Sequence, residues 1–194
     1  MGFFNLAYED HRAPPWEIGR PQIEIVRLAQ AGAVTGSVLD VGCGTGENAL
    51  YLASLKHETW GVDSSPLAIE RAKKKAQERR LKATFLIWDA LQLSSLGRSF
   101  DTVIDSGLLH VFPDEDRPTY ARSVASVLRP GGTYYVLCFS DREPNSFGPR
   151  HLSKNEIKGT FQEGWRINHI RAALFETHYH PNGARAWLSS ITRL

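Results

Sequence analysis

One stretch of the chain, residues 37–53, constrains its fold more than any other part. The apolar run Val38-Leu39-Asp40-Val41 predicts a buried strand, and glycines follow it at positions 42, 44 and 46. Because glycine has no Cβ, such a turn can tighten and bring its backbone close to a ligand. Alanines and leucines between positions 49 and 53 then predict a helix that packs back on the sheet. Strand, glycine turn and helix together predict a nucleotide-shaped binding site.

The acids that follow the turn narrow the choice of ligand. Asp63 ends the next predicted strand, where a carboxylate can accept hydrogen bonds from both hydroxyls of a ribose. The third glycine comes one residue earlier than in the dinucleotide pattern G-x-G-x-x-G, and it is followed by Glu47. A carboxylate there would repel a pyrophosphate. The turn therefore favours a ligand without phosphates that carries a positive centre, such as S-adenosylmethionine.

Five motifs in register resemble the class I S-adenosylmethionine-dependent methyltransferases. They are VLDVGCGTG (38–46), GVDSS (61–65), WDA (88–90), FDTVIDSGLLHVF (100–112) and LRPGGTYYVL (128–137). The N-terminal PWEIGRP (15–21) resembles the thiopurine and thiol/halide methyltransferase branch. The resemblance implies an α/β fold: a Rossmann-like, seven-stranded, mostly parallel sheet with an antiparallel last strand and helices on both faces. It also implies one methyltransferase domain over residues 1–194, with a helical lid segment (1–32) and a cofactor-binding core (33–194).

The same resemblance implies S-adenosyl-L-methionine as the cofactor and a set of residues that bind it. It places Asp89 on the adenine amino group, beside Trp88, which could flank the ring. Trp16 is either a packing residue or part of the pocket wall, and the branch resemblance favours the wall. The predicted cofactor-binding residues are Trp16, Asp40, Gly42, Cys43, Gly44, Asn48, Asp63, Ser64, Asp89, Ala90, Asp105 and Ser106.

Aromatic residues recur where the walls of an acceptor pocket are expected. A short helix over residues 3–13 would carry three of them on one face; it either docks on the body or closes over the substrate as a lid. Arg142 either orients an acidic group or lies on the surface. Walls made of aromatic side chains suit an apolar ring or a polarisable anion. The predicted substrate-binding residues are Phe4, Tyr8, His11, Trp16, Phe112, Phe139, Arg142 and Phe147.

His110 is the candidate catalytic residue. Its ordinary pKa lies near neutrality, which suits a general base. A structural role is the favoured alternative, because many relatives in the resembled family carry a structural histidine near this point. Residues 105–108 read Asp-Ser-Gly-Leu, without the N/D-P-P-Y/F motif of enzymes that methylate base amines in nucleic acids.

Composition excludes several classes of partner. The net charge of +2 is too small to indicate nucleic acid or an acidic membrane surface, and the basic helix 66–80 is interpreted as a solvated face. The two cysteines of the chain lack metal-ligand spacing. His178 and His180 have no acid or cysteine at a matching spacing, so no metal is expected. No apolar run reaches transmembrane length, and the N-terminus lacks the basic start of a signal peptide. A cytoplasmic monomer or homodimer that acts on a small molecule is expected, without nucleic acid or membrane partners.

Local patterns predict most elements. Asn182-Gly183, next to Pro181, predicts a hairpin turn between strands at 165–178 and 184–192. Ser153 and Glu156 fit a capping box. Further predicted helices cover 21–31, 66–80 and 116–128, further strands 83–87, 100–105 and 133–139, and a loop 140–150.

The function predicted from these features is methyl transfer from S-adenosylmethionine to a small-molecule nucleophile by in-line displacement. The nucleophile would be a thiol, a halide, or the hydroxyl or nitrogen of a heterocycle. Two alternatives stay open from sequence: a nicotinamide-dependent oxidoreductase, and a non-catalytic, cofactor-binding regulatory protein.

Overall fold

A single sheet of seven strands organises the computed structural model, which describes residues 7–8, 14–144 and 148–194. The strands are β1 (Val38–Val41), β2 (Thr59–Asp63), β3 (Ala83–Ile87), β4 (Phe100–Ser106), β5 (Leu128–Phe139), β6 (Trp165–Thr177) and β7 (His180–Arg193). They lie in the order β3-β2-β1-β4-β5-β7-β6. Strand β7 is antiparallel to β5 and β6, and the other pairings are parallel. The predicted mostly parallel sheet with an antiparallel last strand is confirmed.

Helices cover both faces of this sheet because its central strands alternate their buried side chains. Leu39 and Val103 pack in one apolar cluster with the helix at 117–127, whereas Val38 and Ile104 pack in another with the helix at 23–30. The helices are α1 (Ile23–Gln30), α2 (Glu47–Ser54), α3 (Pro66–Glu78), α4 (Arg117–Val127) and α5 (Lys154–Thr160), with 3-10 helices at Ala90–Leu96 and Leu109–Val111.

The position of β1 determines where a ligand can bind. It pairs with β2 on one side and with β4 on the other, so the strand order reverses at this point. In an open α/β sheet, ligands bind beyond the carboxyl ends of the strands at such a reversal. The glycine turn after β1 and the segment after β4 therefore meet at one crevice.

The C-terminal hairpin turns at a different place from the one predicted. Thr177 pairs with His180, so the turn lies at residues 178–179, and Asn182 and Gly183 lie inside β7. The register shifts between Phe175 and Thr177, which makes this region an irregular bulge. Gly183 has φ +75°, a conformation that glycine adopts readily both in tight turns and in bulges.

Strand β5 also begins earlier than predicted. Leu128, directly after α4, pairs with Phe100, and the register shifts before Thr102 pairs with Thr133. The glycines at 131 and 132, predicted to precede the strand, lie in this irregular segment. The predicted capping box is present: Ser153 Oγ accepts from the Glu156 N–H, and the Glu156 carboxylate accepts from the Ser153 N–H.

Parts of the predicted N-terminal helix and of the predicted substrate-binding set fall outside the described residues. Of the N-terminal helix expected over 3–13, Ala7 and Tyr8 are described and are helical, whereas Phe4 and His11 lie outside the described residues. Phe147 lies outside them as well. None of the helices in the described ranges is long and apolar enough to cross a membrane.

Candidate active site

A cavity of about 750 Å³ opens at the carboxyl ends of β1, β2 and β4. It lies at the strand-order reversal, and it brings together most of the residues predicted from the sequence. Its volume falls in the range of small-molecule sites, roughly 300–1,000 Å³. The predicted residues that line it are Tyr8, Trp16, Gly42, Cys43, Gly44, Asn48, Asp63, Ser64, Asp89, Ala90, Ser106, His110, Phe112 and Phe139.

The glycine turn forms one end of the cavity and is closely packed. Gly44 has φ +52°, and a Cβ added there would lie 2.8 Å from Tyr8 Oη. Gly46 has φ +85°, and its Cβ would lie 2.8 Å from Phe85 Cζ. Both positions therefore need glycine for the backbone conformation and for the space.

Asp63 lies beside this turn at the end of β2. Its Oδ2 accepts a hydrogen bond from the Gly44 N–H at 2.9 Å, and its Oδ1 accepts from the Ser65 N–H at 2.9 Å. Burial raises the pKa of this carboxyl, although these backbone donors oppose the rise. Each carboxylate oxygen has a further lone pair, so Asp63 can also accept from a ligand hydroxyl. A cradle of glycines with a carboxylate at the strand end fits the nucleoside part of S-adenosylmethionine.

Asp89 lies at the end of β3, across the crevice. Its side chain caps the following 3-10 helix, because Oδ1 accepts from the Leu91 N–H at 2.9 Å. Its Oδ2 lies 3.2 Å from Gln92 Nε2. Trp88 and Ala90, the neighbours of Asp89 in the chain, also line the cavity.

Glu47 does not act as the free negative charge that the sequence suggested. Its carboxylate pairs with Lys75 at 2.8 Å and with Arg79 at 2.7 Å. Burial opposes ionisation, but the bonds from Arg79 and Lys75 outweigh it and lower the pKa of Glu47. The repulsion of a pyrophosphate is therefore weaker than expected, and the cofactor assignment depends on the motifs and relatives instead.

Asp40 was predicted to bind the cofactor, but it does not line the cavity. It is 1% exposed, and its Oδ2 accepts from the Ala49 N–H at 3.1 Å, in the first turn of α2. Burial raises the pKa of Asp40 to about 8. This carboxyl lies inside the body and supports the turn, because central parallel strands bury both of their faces.

Asp105, which was also predicted to bind the cofactor, does not line the cavity either. It is fully buried, and its carboxylate accepts from the hydroxyls of Tyr120 and Tyr134, each at 2.7 Å. It also accepts from the Leu108 N–H at 2.7 Å and the Leu109 N–H at 3.1 Å. Burial raises the pKa of Asp105 to about 6. Asp105 holds the segment after β4 in position without reaching the cavity.

Arg142 lies away from the cavity, contrary to its predicted place at the substrate pocket. Its guanidinium carbon lies 4.9 Å from the centroid of the Trp187 ring, which is a cation–π distance. The Trp187 Nε1–H donates to Asp141 Oδ1 at 3.2 Å. Arg142 therefore packs against Trp187 on β7 and does not line the cavity.

The other end of the cavity is an aromatic chamber formed by Phe112, Phe139, Phe175 and His110. The rings of Phe139 and Phe175 lie 5.1 Å apart, and those of His110 and Phe139 lie 4.7 Å apart. Phe175 is 4% exposed, and the sequence reasoning did not single it out. It belongs to a strand that was correctly predicted, but nothing local to its sequence indicates that β6 reaches this chamber.

His110 lines the chamber with one ring nitrogen engaged by the backbone. Its Nδ1 accepts the Phe139 N–H at 2.9 Å. Burial lowers the pKa of His110 to about 3, and His151 adds to the effect, so the ring is neutral at physiological pH. A neutral imidazole has one acceptor nitrogen, and here that nitrogen is occupied. This arrangement matches the structural interpretation of His110 more closely than the general-base one.

The N-terminal residues close one side of the cavity. The Trp16 Nε1–H donates to Tyr8 Oη at 2.9 Å, and Arg71 donates to the Tyr8 carbonyl at 2.7 Å. Glu17 also lines the cavity and pairs with Lys75 at 3.3 Å. Tyr8 thus lies beside the glycine turn, and Trp16 packs against the apolar cluster that includes Phe175.

Known proteins are similar to this chain in sequence. A family model described as "Methyltransferase domain" matches residues 38–132. The chain is 40% identical over 163 residues to 2-heptyl-1-hydroxyquinolin-4(1H)-one methyltransferase of Mycobacteroides abscessus, over 82% of this chain and 72% of the relative. It is 30% identical over 154 residues to probable thiol methyltransferase 2 of Arabidopsis thaliana, over 75% of this chain and 66% of the relative.

Solved structures of other proteins have the same fold. A protein from the study "Conversion of a Disulfide Bond into a Thioacetal Group during Echinomycin Biosynthesis" superposes with a TM-score of 0.90 at 36% identity, over 98% of this chain and 90% of that one. Magnesium protoporphyrin IX methyltransferase from Synechocystis, solved with bound cofactor, shares the fold at a TM-score of 0.70 and 23% identity, over 89% of this chain and 77% of that one. The chain belongs to the S-adenosylmethionine-dependent methyltransferases, and S-adenosyl-L-methionine is its cofactor. Its relatives include those of the small-molecule branch that the N-terminal motif predicted.

Proposed function

We propose that this enzyme methylates an acidic hydroxyl or thiol on a small, apolar acceptor that carries a ring. One observation carries the proposal: the cavity joins a glycine and carboxylate cradle to an aromatic chamber whose histidine is neutral and bonded to the backbone. An aromatic chamber binds a flat apolar ring or a soft anion in preference to a sugar or a polymer. A neutral, engaged histidine suits an acceptor that arrives already ionised.

The relatives support this choice of acceptor. The Mycobacteroides abscessus relative is named for a hydroxyquinolone, and the Arabidopsis relative for thiols. Both acceptor types lose a proton more readily than an aliphatic alcohol does. We rank the hydroxylated nitrogen heterocycle first, because the relative named for it is the more similar of the two.

The residues of the chain would promote methyl transfer by aligning the acceptor with the cofactor. S-adenosylmethionine supplies, when bound, a methyl group on a positively charged sulfur. Asp63, Asp89 and the glycine turn would hold the cofactor, and the chamber residues Phe139 and Phe175 would hold the acceptor in line with the methyl group and exclude water. Orientation of this kind can supply about 7–11 kcal/mol of the barrier reduction.

An acceptor that is already ionised would need no base from the chain. With S-adenosylmethionine bound, the acceptor oxygen or sulfur would bond to the methyl carbon as the bond from that carbon to the sulfonium sulfur breaks, and the acceptor's negative charge would neutralise the sulfonium. An aromatic face near a sulfonium is attracted to it by cation–π interaction, which suits Trp16 or Tyr8. The acceptor's proton leaves to water before the transfer, so an acidic acceptor is preferred.

Several finer assignments are part of this proposal. The lid segment (1–32) and core (33–194) would form one domain, and the enzyme would act as a cytoplasmic monomer or homodimer without nucleic acid or membrane partners. The candidate site residues keep their predicted roles, except that Asp40 and Asp105 support the fold and Arg142 is left out of the pocket.

A methyl-transfer screen tests the proposal. Purified enzyme with S-adenosylmethionine would be offered 1-hydroxyquinolin-4-one, thiophenol, iodide and phenol, with formation of S-adenosylhomocysteine and of the methylated product as readouts. We expect the hydroxyquinolone to be the best acceptor and phenol the poorest of the organic ones, because phenol is the least acidic. Equal rates on all four, or none above background, would contradict the proposal.

A further inference from the structure

Two segments that line the cavity are hydrogen-bonded to each other. The strap is defined as residues 14–22, and it contributes Trp16 and Ile18 to the lining. The hairpin tip is defined as residues 175–180, and it contributes Phe175 and Tyr179. The strap lies beside the glycine turn, whereas the hairpin tip carries a wall of the aromatic chamber. Whatever joins them couples the cofactor side of the site to the acceptor side.

Gln22 is the centre of that junction. It is 4% exposed, and both ends of its side-chain amide bond the backbone of Glu176: Nε2 donates to the carbonyl at 2.9 Å, and Oε1 accepts from the N–H at 2.9 Å. The backbone N–H of Gln22 donates to Asn48 Oδ1 at 2.9 Å. Asn48 belongs to the first turn of α2, directly after the glycine turn. A continuous chain of bonds therefore runs from the cofactor cradle to β6.

The Glu176 carboxylate strengthens the same junction. It accepts two hydrogen bonds from the Arg20 guanidinium, at 2.9 and 2.8 Å, and one from the Ile23 N–H at 2.8 Å. Arg20 lowers the pKa of Glu176, so this carboxyl is ionised at neutral pH. Paired two-point bonds to a guanidinium are directional, and the Ile23 N–H belongs to the first turn of α1, where negative charge is favoured.

Phe175, the residue before Glu176, is the element that this junction would place. Its ring lies 5.1 Å from Phe139 and 5.9 Å from His110. A Cβ on Gly107 would lie 2.9 Å from Phe175 Cζ, so the ring packs tightly against the segment after β4. Nearby, the His178 N–H donates to the Pro15 carbonyl at 2.9 Å, which adds a second tie between strap and hairpin tip.

We propose that Gln22 and Glu176 are positioning residues that align the acceptor wall at Phe175 with the cofactor cradle. The proposal rests on the proposed function, since it concerns an acceptor held by the aromatic chamber. Gln22 and Glu176 act through the backbone of β6 and through the strap. A shift of the hairpin tip would move the acceptor relative to the methyl group, and a displacement of about 1 Å can lower such a rate by about 10²-fold.

The test compares two variants with one matched control. Glu176→Gln removes the charge from the Arg20 pair, and Gln22→Leu removes both bonds to the Glu176 backbone. Glu58→Gln is the control, because Glu58 also pairs with an arginine, Arg98, but at the amino end of β2, away from the cavity. Each protein is assayed on the hydroxyquinolone and on the smallest acceptor that the wild type methylates, and S-adenosylhomocysteine binding is measured by calorimetry.

A loss of alignment and a general loss of stability would change kcat/KM, Kd and Tm in different ways. We expect kcat/KM on the ring acceptor to fall ~10-fold or more in both variants, with a smaller loss on the small acceptor and an S-adenosylhomocysteine Kd within ~3-fold of the wild type. The control should change none of these values. An equal loss on both acceptors, accompanied by a lower Tm, would show a merely structural role and overturn the proposal. Unchanged selectivity would overturn it too.

A second measurement does not depend on any acceptor. Hydrogen exchange of the cofactor-product complex should show faster uptake in the strap and in the hairpin tip together in both variants, but in neither segment of Glu58→Gln. If the wild type methylates none of the acceptors, the proposed function fails, and this exchange experiment still decides whether the two segments are coupled. Independent or unchanged exchange in the two segments would refute the coupling.

Discussion

Asp63 is the residue on which cofactor binding should depend most. Its carboxylate accepts a hydrogen bond from the Gly44 N–H and lines the cavity. Asp63→Ala therefore removes a hydrogen-bond acceptor for the ligand and loosens the glycine turn. We expect a loss of about 2–4 kcal/mol in S-adenosylmethionine binding, since hydrogen bonds to charged groups contribute about 1.5–3 kcal/mol each. Calorimetry on the folded variant measures it.

The control for Asp63→Ala is Asp101→Asn. Asp101 lies at the amino end of β4, where its carboxylate accepts from the Ser37 N–H and pairs with Arg129. That variant should lose stability and keep its affinity for the cofactor. Unchanged binding by Asp63→Ala would remove Asp63 from the cofactor site.

The buried ring of His110 should make the free energy of unfolding depend on pH. Its pKa falls from an ordinary 6.5 to about 3 on folding, because burial disfavours the charged ring. Below pH 6.5 the unfolded chain takes up a proton that the folded protein does not. The stabilisation from the neutral ring is therefore fully present above pH 6.5 and is lost as the pH falls towards 3, by at most about 1.4 kcal/mol per pH unit.

The measurement is the free energy of unfolding of the wild type and of His110→Asn between pH 3 and 8. The difference between the two curves should shrink as the pH falls, and subtraction cancels the buried carboxyls, which shift in the opposite sense. Parallel curves would mean that the ring titrates normally. His110→Asn should also keep appreciable turnover on an acceptor that is ionised at the assay pH. A complete loss of turnover with binding intact would make His110 the base.

At the scale of elements, the segment after β4 depends on one buried carboxylate. Asp105 accepts from two tyrosine hydroxyls and two backbone N–H groups, so an amide in its place would direct a donor at donors. We expect Asp105→Asn to lower the free energy of unfolding by about 2–4 kcal/mol, because buried unsatisfied groups cost about 1–3 kcal/mol each and charged ones more. Urea unfolding at pH 7.5 measures it.

The same substitution should affect the acceptor side more than the cofactor side. The segment that Asp105 holds leads directly to His110 and Phe112, which line the aromatic chamber. The KM for the acceptor should therefore rise while S-adenosylhomocysteine still binds. A variant of unchanged stability would show that Asp105 is not the support that its four bonds indicate.

The sequence predicted the elements better than the contacts between them. The glycine turn and the strand-end positions of Asp63 and Asp89 follow from local patterns, because each pattern has its own turn chemistry or period. The mostly parallel sheet was predicted from the family resemblance, and not from those patterns. Asp40 and Asp105 carry the same local signal as Asp63, yet they face the interior. Strand position alone does not tell which side chain of a central strand reaches the crevice.

Long-range packing accounts for the remaining differences. The hairpin of β6 and β7 was predicted, but the contact of Phe175 on β6 with Phe139 on β5 depends on how that hairpin joins the rest of the sheet, which no nearby residue specifies. Asn182-Gly183 has the composition of a hairpin turn, but the register of β6 against β7 places the turn at 178–179 and leaves the glycine in a bulge. Register is set by the whole buried face of a strand, and not by its turn alone.

At the scale of the whole molecule, cofactor specificity should appear as thermal stability. A ligand that binds only the folded state stabilises it by about 2.7 kcal/mol at a concentration 100 times its Kd. For a chain of 194 residues, 1 kcal/mol shifts Tm by about 2–4 °C, so S-adenosylhomocysteine should raise Tm by about 5–11 °C at that concentration. NADH at the same concentration should leave Tm unchanged, because the cradle ends in a third glycine that comes too early for a dinucleotide.

The Asp63→Ala variant makes this experiment specific. Its Tm without ligand should stay within a few degrees of the wild type, but the shift with S-adenosylhomocysteine should shrink, because the lost affinity raises Kd at fixed ligand concentration. Differential scanning fluorimetry over a ligand series measures both values. A shift by NADH would reopen the nicotinamide-dependent alternative. A shift by S-adenosylhomocysteine without turnover on any acceptor would favour the regulatory one, in which the chain binds the cofactor and transfers nothing.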